Sequence, residues 1–322
     1  MALSGSFDFT MTRDNAIQEA LELLGVLGEG ESPTADQLTS CSRTLNLMLK
    51  HWQNREVSQN LIRKLYVFLD DEKRTYDLST TVASSDHSAY NFYADTVEAD
   101  YADGATDLEV DTGTGAATND TVLVVSDENT LLDGLIDSGA STSLTVEDLD
   151  GDAEAGAQYF AYTTKAARPL DIIYANRCFN ITNPGEDEVL DYIRQPCAIQ
   201  ARADFISHSN PDSDGTVHSI WYDPQWPTAE LHVWPEPQAG EFLELWAQFT
   251  IDDMDSASDN FALPSRWYLA VATNLAYWLM GKYGASADTR ATIKEQARRT
   301  LQEAEEGDQE DYIKIEPDTR RF

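Results

Sequence analysis

The sequence predicts an α+β fold: a helical bundle formed by the N- and C-terminal helices, a large all-β insertion (hairpins plus a small β barrel or sandwich) and an extended C-terminal tail. Apolar residues recur at helical spacing near both ends of the 322-residue chain. Between the ends, short apolar runs alternate with Gly, Asp, Asn and Thr, which is the pattern of strands and turns. Hydrophobic residues make up 42% of the chain, enough for a packed core.

These patterns divide the chain into six segments. They are an N-terminal helical hairpin (1–64), a β-hairpin region (65–92), an inserted acidic β module (93–165), a β-hairpin-rich region (166–262), C-terminal helices that complete the helical core (263–307) and a C-terminal docking tail (308–322).

The N-terminal hairpin is predicted from capping residues and from an apolar stripe. The first helix begins near Thr12, which can cap it. The second has Ser32 as its N-cap or, alternatively, Thr34 in a capping box with Gln37. Their apolar positions recur every three or four residues and must be buried against other helices. These positions are Ile17, Leu21, Leu24, Leu38, Leu45, Met48 and Trp52.

Two β-hairpins are expected on either side of the acidic module. Residues 65–69 and 75–78 are apolar runs that flank the turn-forming residues 70–73. Further along, residues 230–234 and 242–249 are joined by a loop rich in Pro and Gly, which predicts a long hairpin.

Helical spacing returns at about Leu263, and a final helix is expected over residues 288–306. Because both ends of the chain carry amphipathic helices, we expect one core, or subunit packing, to be built from both. The C-terminal residues assigned to it are Trp267, Val271, Leu275 and Trp278.

The chain is strongly acidic, and its acidic residues are unevenly distributed along the sequence. The net charge is −35, and residues 75–164 contain 19 Asp and Glu but neither Lys nor Arg. Such a surface repels phosphates and argues against attractive binding to duplex DNA. Two interpretations stay open: a solubility or high-salt adaptation, or a surface that lets a polyanion slide past without sticking.

Residues with chemical potential form no recognisable catalytic motif. None of the five histidines has a second histidine at metal-ligand spacing, and the sequence lacks common hydrolase, nucleotide-binding and zinc-protease signatures. The segment 212–215 with His218 is interpreted as a turn. Alternating acids at residues 148–154 are interpreted as a solvated loop, with a weak Ca²⁺ site as the alternative. We therefore expect no enzyme activity, metal or cofactor.

The cysteines and the aromatic residues near the second hairpin are expected to be structural. Cys41, Cys178 and Cys197 are far apart and odd in number, which predicts free, buried thiols from a reducing compartment. The tryptophans at 221–246 fit packing in a sheet or at a subunit interface, with a stacking platform for sugars or bases as the alternative.

The C-terminal tail is polar but carries spaced apolar anchors. Such anchors predict a docking arm that orders on a partner, and a passive end is the alternative. The residues assigned to docking are Tyr312, Ile313, Ile315, Arg320, Arg321 and Phe322.

Several segments resemble the head-to-tail adaptor family of tailed phages, also described as connectors, tail accessory factors or packaged-DNA stabilisation proteins. Residues 12–25 (TRDNAIQEALELLG) look like the opening helix of that family, and residues 45–52 (LNLMLKHW) are similar to its second helix. The pattern from Trp221 to Pro235, followed by Leu263-Pro264 and residues 274–276, also fits. The acidic module departs from the compact helical members.

The resemblance implies a virion protein that is not an enzyme. Family members form a ring, usually of twelve subunits, below the portal protein in the phage neck, and are assembled in the host cytoplasm. They extend the DNA channel, retain packaged DNA without sequence-specific binding, and support attachment of tail nozzle or tail-tube proteins. The implied partners are therefore the portal, tail proteins and copies of the chain itself, with no membrane. The C-terminal tail would bind the portal.

Two other functions remain possible from the sequence. A glycan-binding or fibre-like tail component would use the β module and the Trp-rich hairpin. A hydrolase with an unrecognised carboxylate site is the third candidate.

Overall fold

The computed structural model describes residues 9–28, 30–53, 61–80, 86–111, 116–139, 142–147, 149–182 and 191–307. The chain divides into two compact units. The helical unit comprises Met1–Leu61 and Thr250–Phe322, and the β unit comprises Ile62–Phe249. The β unit therefore interrupts the helical unit in the sequence.

The helices begin at side-chain caps in three cases. Thr12 and Ser286 each accept a hydrogen bond from a backbone N–H of the first turn. Thr34 forms a full capping box with Gln37, so the cap lies at Thr34 and not at Ser32. The helices are α1 (Arg13–Leu23), α2 (Ala35–Trp52), α3 (Arg202–Ile206, in the β unit), α4 (Tyr268–Tyr283, preceded by a 3₁₀ turn at Ser265–Trp267) and α5 (Ala287–Glu306).

Helix α4 lies at the centre of the helical unit and contacts α1, α2 and α5. Its residues from Ala270 to Ala276 are all buried, because the other helices cover it from several sides. The indoles of Trp52 and Trp267 meet at 5.8 Å between ring centroids. Gly284 ends α4 in the left-handed conformation, where a residue without Cβ is favoured.

The β unit contains fifteen described strands in three sheets. The strands are β1 (Ile62–Phe68), β2 (Thr75–Leu78), β3 (Ser88–Ala89), β4 (Tyr93–Thr96), β5 (Asp107–Glu109), β6 (Thr121–Val125), β7 (Leu131–Gly139), β8 (Ser143–Val146), β9 (Gln158–Tyr162), β10 (Asp171–Thr182), β11 (Asp191–Pro196), β12 (Ala198–Ile199), β13 (Ser219–Asp223), β14 (Ala229–Trp234) and β15 (Phe242–Gln248).

The strand orders are β11-β10-β15-β1-β3 in a five-stranded sheet, β12-β13-β14-β2 in a four-stranded sheet and β4-β9-β6-β7-β8-β5 in a six-stranded sheet. Alternation along the strands sends every second side chain into a core. Leu65, Leu245 and Leu231 belong to the core shared by the first two sheets. Val122 and Tyr159 belong to the core of the six-stranded sheet.

The predicted fold class is wrong. The protein is predominantly β, with three sheets and few helices, and the β unit is larger than the helical unit that it interrupts. Of the four hydrophobic clusters formed by the described residues, three lie in the sheets and one among the helices. The amphipathic helices at the chain ends are the strongest periodic signal, whereas each short strand is a weak one, so the sequence overstates the helical part.

Both predicted hairpins are also wrong. Strands β1 and β2 lie in different sheets, because β1 pairs over seven residues with the distant β15. Strand β14 pairs with β13 and β2, not with β15. The Pro/Gly loop after β14 thus connects two sheets. These pairings join strands that are far apart in the sequence, and local turn chemistry does not encode them.

The capping box generates a stability prediction. Thr34→Ala removes one of its two reciprocal hydrogen bonds and should lower the free energy of unfolding of the helical unit by about 1 kcal/mol. Urea unfolding followed by circular dichroism at the helical minimum measures the change. Ser32→Ala is the matched control and should be neutral, and an equal loss from Ser32→Ala would contradict the cap assignment.

Candidate functional site

The residues predicted to form the helical core, or to pack subunits, divide into two groups. Nine of the eleven lie in the single buried cluster of the helical unit: Ile17, Leu21, Leu24, Leu45, Met48, Trp52, Trp267, Val271 and Leu275. Leu38 packs at the edge of this cluster and is partly buried. Trp278 differs from the rest, because its side chain is 38% exposed.

Trp278 borders an open cleft at the C-terminal end of α4. The cleft has a volume of about 480 Å³ and is lined by Tyr277, Trp278, Met280, Gly281 and Arg290. From α2, the ring of His51 lies 5.5 Å from that of Trp278. The lining combines aromatic surface with one guanidinium group, which suits an apolar or aromatic side chain from a binding partner.

A second aromatic cluster lies on the outer face of the four-stranded sheet. Trp221 and His232 are cross-strand partners, and their rings stack at 4.4 Å with an angle of 8°. His208 stacks on Trp234 at 3.8 Å, and His218 meets the edge of the same indole at 4.7 Å. Three of the five histidines therefore contact these two tryptophans.

Helix α3 crosses this face and is held mainly by ring contacts. Phe205 lies 6.0 Å from the ring of Trp221 and 6.2 Å from that of His232. The Arg202 guanidinium lies 5.2 Å from the centre of the Trp221 ring, and no residue of α3 is fully buried. The cluster is therefore packed on one side by α3. The sequence did not predict α3, whose five residues are too few to show a helical period.

Trp226 is presented differently from the other tryptophans of this region. It is 83% exposed in the turn between β13 and β14. The Arg168 guanidinium lies 5.4 Å from the ring centre, and its Nη1 donates to the carbonyls of Pro224 and Gln225 at 3.5 and 3.4 Å. These contacts hold the turn in place while most of the indole surface faces solvent.

Ion pairs and hydrogen bonds surround Glu244, which lies on β15 in the five-stranded sheet. The buried carboxylate of Glu244 accepts hydrogen bonds from the Tyr192 hydroxyl and from Arg194, and Lys64 lies 3.6 Å away. Burial opposes ionisation, but these donors outweigh it and lower the pKa of Glu244. The carboxylate is thus a satisfied structural group.

The sequence motifs considered for chemistry form no site in the described part of the chain. Asp214 bridges to Glu236, and the Gly215 N–H donates to the Glu236 carbonyl, so the segment is a turn attached to the sheet region. Among the described residues, no group of three or more His, Cys, Asp or Glu is arranged to hold a metal ion. No described helix has the length and apolar character needed to cross a membrane.

The three cysteines are free and buried, as predicted. Burial raises the pKa of Cys178 to about 12 and that of Cys197 to about 11. These thiols are therefore protonated near neutral pH and are poor nucleophiles. The predicted docking residues, Tyr312 to Phe322, lie outside the described residues.

Comparisons with known proteins give little further information. No protein-family model matches the chain, and no curated protein matches it. Among solved structures, VP17, a capsid protein of bacteriophage P23-77, aligns over 60% of this chain and 75% of its own, with 11% identity and a TM-score of 0.12. A likeness of this size establishes neither fold nor function.

The histidine environments predict acid sensitivity of the β unit. Burial is the largest effect on His87 and on His232, and it lowers the pKa of both despite the nearby carboxylates Asp133 and Glu230. Because the folded-state pKa lies below the unfolded value of about 6.5, the unfolded chain binds more protons in that range. The free energy of unfolding should therefore decrease as pH falls below about 6.5.

Urea midpoints measured between pH 7.5 and 5 would check this expectation. His232→Asn removes one titrating group and should flatten the pH dependence, whereas the exposed His218→Asn serves as the control. An unchanged pH dependence in the His232→Asn variant would show that this imidazole makes no contribution.

Proposed function

We propose that this protein is a head-to-tail adaptor of a tailed phage, which forms a ring below the portal, extends the DNA channel and supports the tail. The proposal is supported by the positions, in the folded chain, of the segments that resemble adaptors. Residues 12–25, 45–52, 263–264 and 274–276 contribute to one hydrophobic cluster, whereas the similar pattern at 221–235 lies in the β unit. Most of the segments that resemble adaptors therefore supply side chains that pack together.

The charge distribution supports passage of DNA without adhesion. The β unit contains 35 acidic and 9 basic residues, whereas the helical unit contains 22 acidic and 13 basic residues. The β unit thus carries −26 of the net charge of −35. Phosphates would be repelled by such a surface, so duplex DNA would pass without binding to it.

In this proposal the helical unit packs against neighbouring copies in a ring of twelve, and the C-terminal tail reaches the portal. Tyr312, Ile313, Ile315 and Phe322 supply apolar anchors, and Arg320 and Arg321 supply positive charge. Helix α5 ends at Glu306, so residues 308–322 can be removed without shortening it. The protein would be located in the virion neck.

Electron microscopy of the protein mixed with the portal and neck proteins of the same phage tests the proposal. We expect a closed ring stacked on the portal, with residues 308–322 at the junction. A chain that lacks residues 308–322 should retain its circular dichroism spectrum and lose portal binding by at least tenfold in affinity. If the truncated chain binds the portal as well as the intact chain does, the tail is not the portal-binding segment. If the intact chain does not bind the portal at all, the adaptor function is wrong.

A second candidate function is binding of a glycan as a tail structural component, and the exposed Trp226 favours it. An indole held by Arg168 offers a flat apolar face of the kind that stacks on sugar rings. Trp234 is not an equivalent platform, because His208 covers its face and its Nε1 donates to the Asn210 carbonyl.

This second function predicts that Trp226→Ala abolishes binding to a glycan array while the protein stays folded. Trp278→Ala is the matched control, since it removes a partly exposed indole from the helical unit. Loss of signal in the Trp226 variant alone would support glycan binding. An array on which the intact protein binds no glycan would exclude it for the sugars displayed.

A further inference from the structure

The last two turns of α4 carry an apolar surface that the other described residues leave uncovered. Helix α4 is buried from Ala270 to Ala276, whereas Tyr277 is 40% exposed and Trp278 is 38% exposed. Both residues line the open cleft at this end of the helix. A helix that is apolar on all sides is normally covered over its whole length, so this surface is suited to a further apolar contact.

A row of basic side chains leads away from the cleft along α5. Arg290 lines the cleft, and Lys294 and Arg298 follow at intervals of four residues, which places the three along one side of the helix. We call these three residues the basic row. Neither Arg290 nor Lys294 forms an ion pair with a described residue, and Arg298 pairs with Glu295 of its own helix. In a chain with a net charge of −35, this positive surface favours an acidic segment.

The segment that follows α5 has the complementary composition. Residues 308–316 (DQEDYIKIE) contain four acidic residues and one Lys, and they include Ile313 and Ile315. The segment is attached at the opposite end of α4 from the cleft. A Cβ atom at Gly307 would lie 3.5 Å from Cδ of Arg266, which belongs to the 3₁₀ turn that precedes α4. The cleft and the segment that suits it are therefore parts of the same unit, at a defined separation.

The length of the segment matches this separation. About 17 residues of α5 separate Arg290 from Gly307, which corresponds to about 26 Å at about 1.5 Å per residue. An extended chain advances about 3.3 Å per residue, so residues 308–315 also span about 26 Å. A segment that returns along α5 therefore brings Ile315 to the cleft, and its acidic residues pass Arg298 and Lys294 on the way.

We propose that residues 308–316 return along α5 of the same chain, bind the basic row through their carboxylates and insert Ile315 into the cleft beside Trp278. Side chains alternate along an extended segment, so Asp311, Ile313 and Ile315 face the helix together. At this spacing Asp311 lies level with Arg298. The occupant belongs to the same chain because its attachment at Gly307 gives it an effective concentration on the order of millimolar at the cleft.

The consequence for assembly rests on the proposed adaptor function, but the contact itself does not. Ile313 and Ile315 are two of the residues assigned to portal docking. A segment bound to its own α5 covers both side chains, so the portal must displace it before binding them. The contact would thus keep the tail bound to its own chain until a portal competes for it.

Disulfide trapping in the whole chain tests the contact without a portal. One variant carries Ile315→Cys with Gly281→Cys in the cleft, where no atom outside the helix backbone lies within 4 Å of the Cβ position. The matched variant carries Ile315→Cys with Leu269→Cys, an exposed position at the beginning of α4 and close to the attachment point. The three native cysteines are buried, which leaves the introduced pair to react. Circular dichroism confirms folding, and non-reducing electrophoresis follows disulfide formation at low protein concentration.

We expect the Gly281 pair to close within one chain at least about tenfold faster than the Leu269 pair, because docking holds residue 315 at the cleft. An undocked segment would give the opposite order, since Leu269 is nearer to the attachment point. Lys294→Glu, added to the Gly281 pair, should slow closure about fivefold because it turns attraction into repulsion. Arg299→Glu makes the same change of charge on another side of α5 and should change the rate by less than about twofold.

Three results would overturn the proposal: a Leu269 pair that closes as fast as the Gly281 pair, an equal effect of Lys294→Glu and Arg299→Glu, or disulfides that form between copies instead of within one chain. If the contact is found but the intact chain does not bind a portal, the contact stands and the adaptor function fails. If the intact chain binds the portal but the contact is absent, the adaptor function stands and this inference is wrong.

Discussion

The apolar circumference of α4 is the constraint on which the helical unit depends. A helix with buried residues on every side cannot be stable next to a single partner, because part of its surface would remain in water. Helices α1 and α2 come from the N-terminal part of the chain and α5 from the C-terminal part, and all three contact α4. The core therefore cannot be completed until both ends of the chain are present. The contact of Trp52 with Trp267 joins side chains that are more than 200 positions apart in the sequence.

The β unit meets a different constraint, since it must fold despite a large excess of acidic residues. Several of its nine Lys and Arg side chains form specific ion pairs with carboxylates. Arg177 forms a salt bridge with Glu241, Arg194 with Glu244, and Lys73 with Asp86. The first two pairs join β10 and β11 to the segment around β15, where an unpaired buried carboxylate would be costly. Where carboxylates stay exposed, mutual repulsion is reduced by water and salt, and the excess charge remains available to act on other polyanions.

Sequence patterns over a few residues predicted helix caps correctly, but they did not predict which strands pair with each other. The capping box of Thr34 and Gln37 is confirmed, because a cap depends on residues three positions apart. The pairing of β1 with β15 joins residues roughly 180 positions apart and has no local signature. The same reasoning explains why the histidine and tryptophan cluster was missed: Trp221 and His232 become neighbours only through strand register, and the short α3 covers them only in the folded chain. The fold class was predicted wrongly for this reason. A helix has a periodic pattern within its own sequence, whereas a sheet is formed by strands that are distant in the sequence.

The two units differ in net charge, and this difference affects how copies of so acidic a chain could associate. Association needs apolar surface that can be removed from water, and it is opposed by the repulsion between like-charged copies. Both units expose large apolar side chains: Phe9 and Leu269 in the less charged helical unit, and Tyr174, Ile206 and Trp226 in the acidic β unit. The acidic β unit repels phosphates and other copies of itself more strongly than the helical unit does. Any assembly of this chain must therefore offset the repulsion between its acidic surfaces by the burial of apolar side chains.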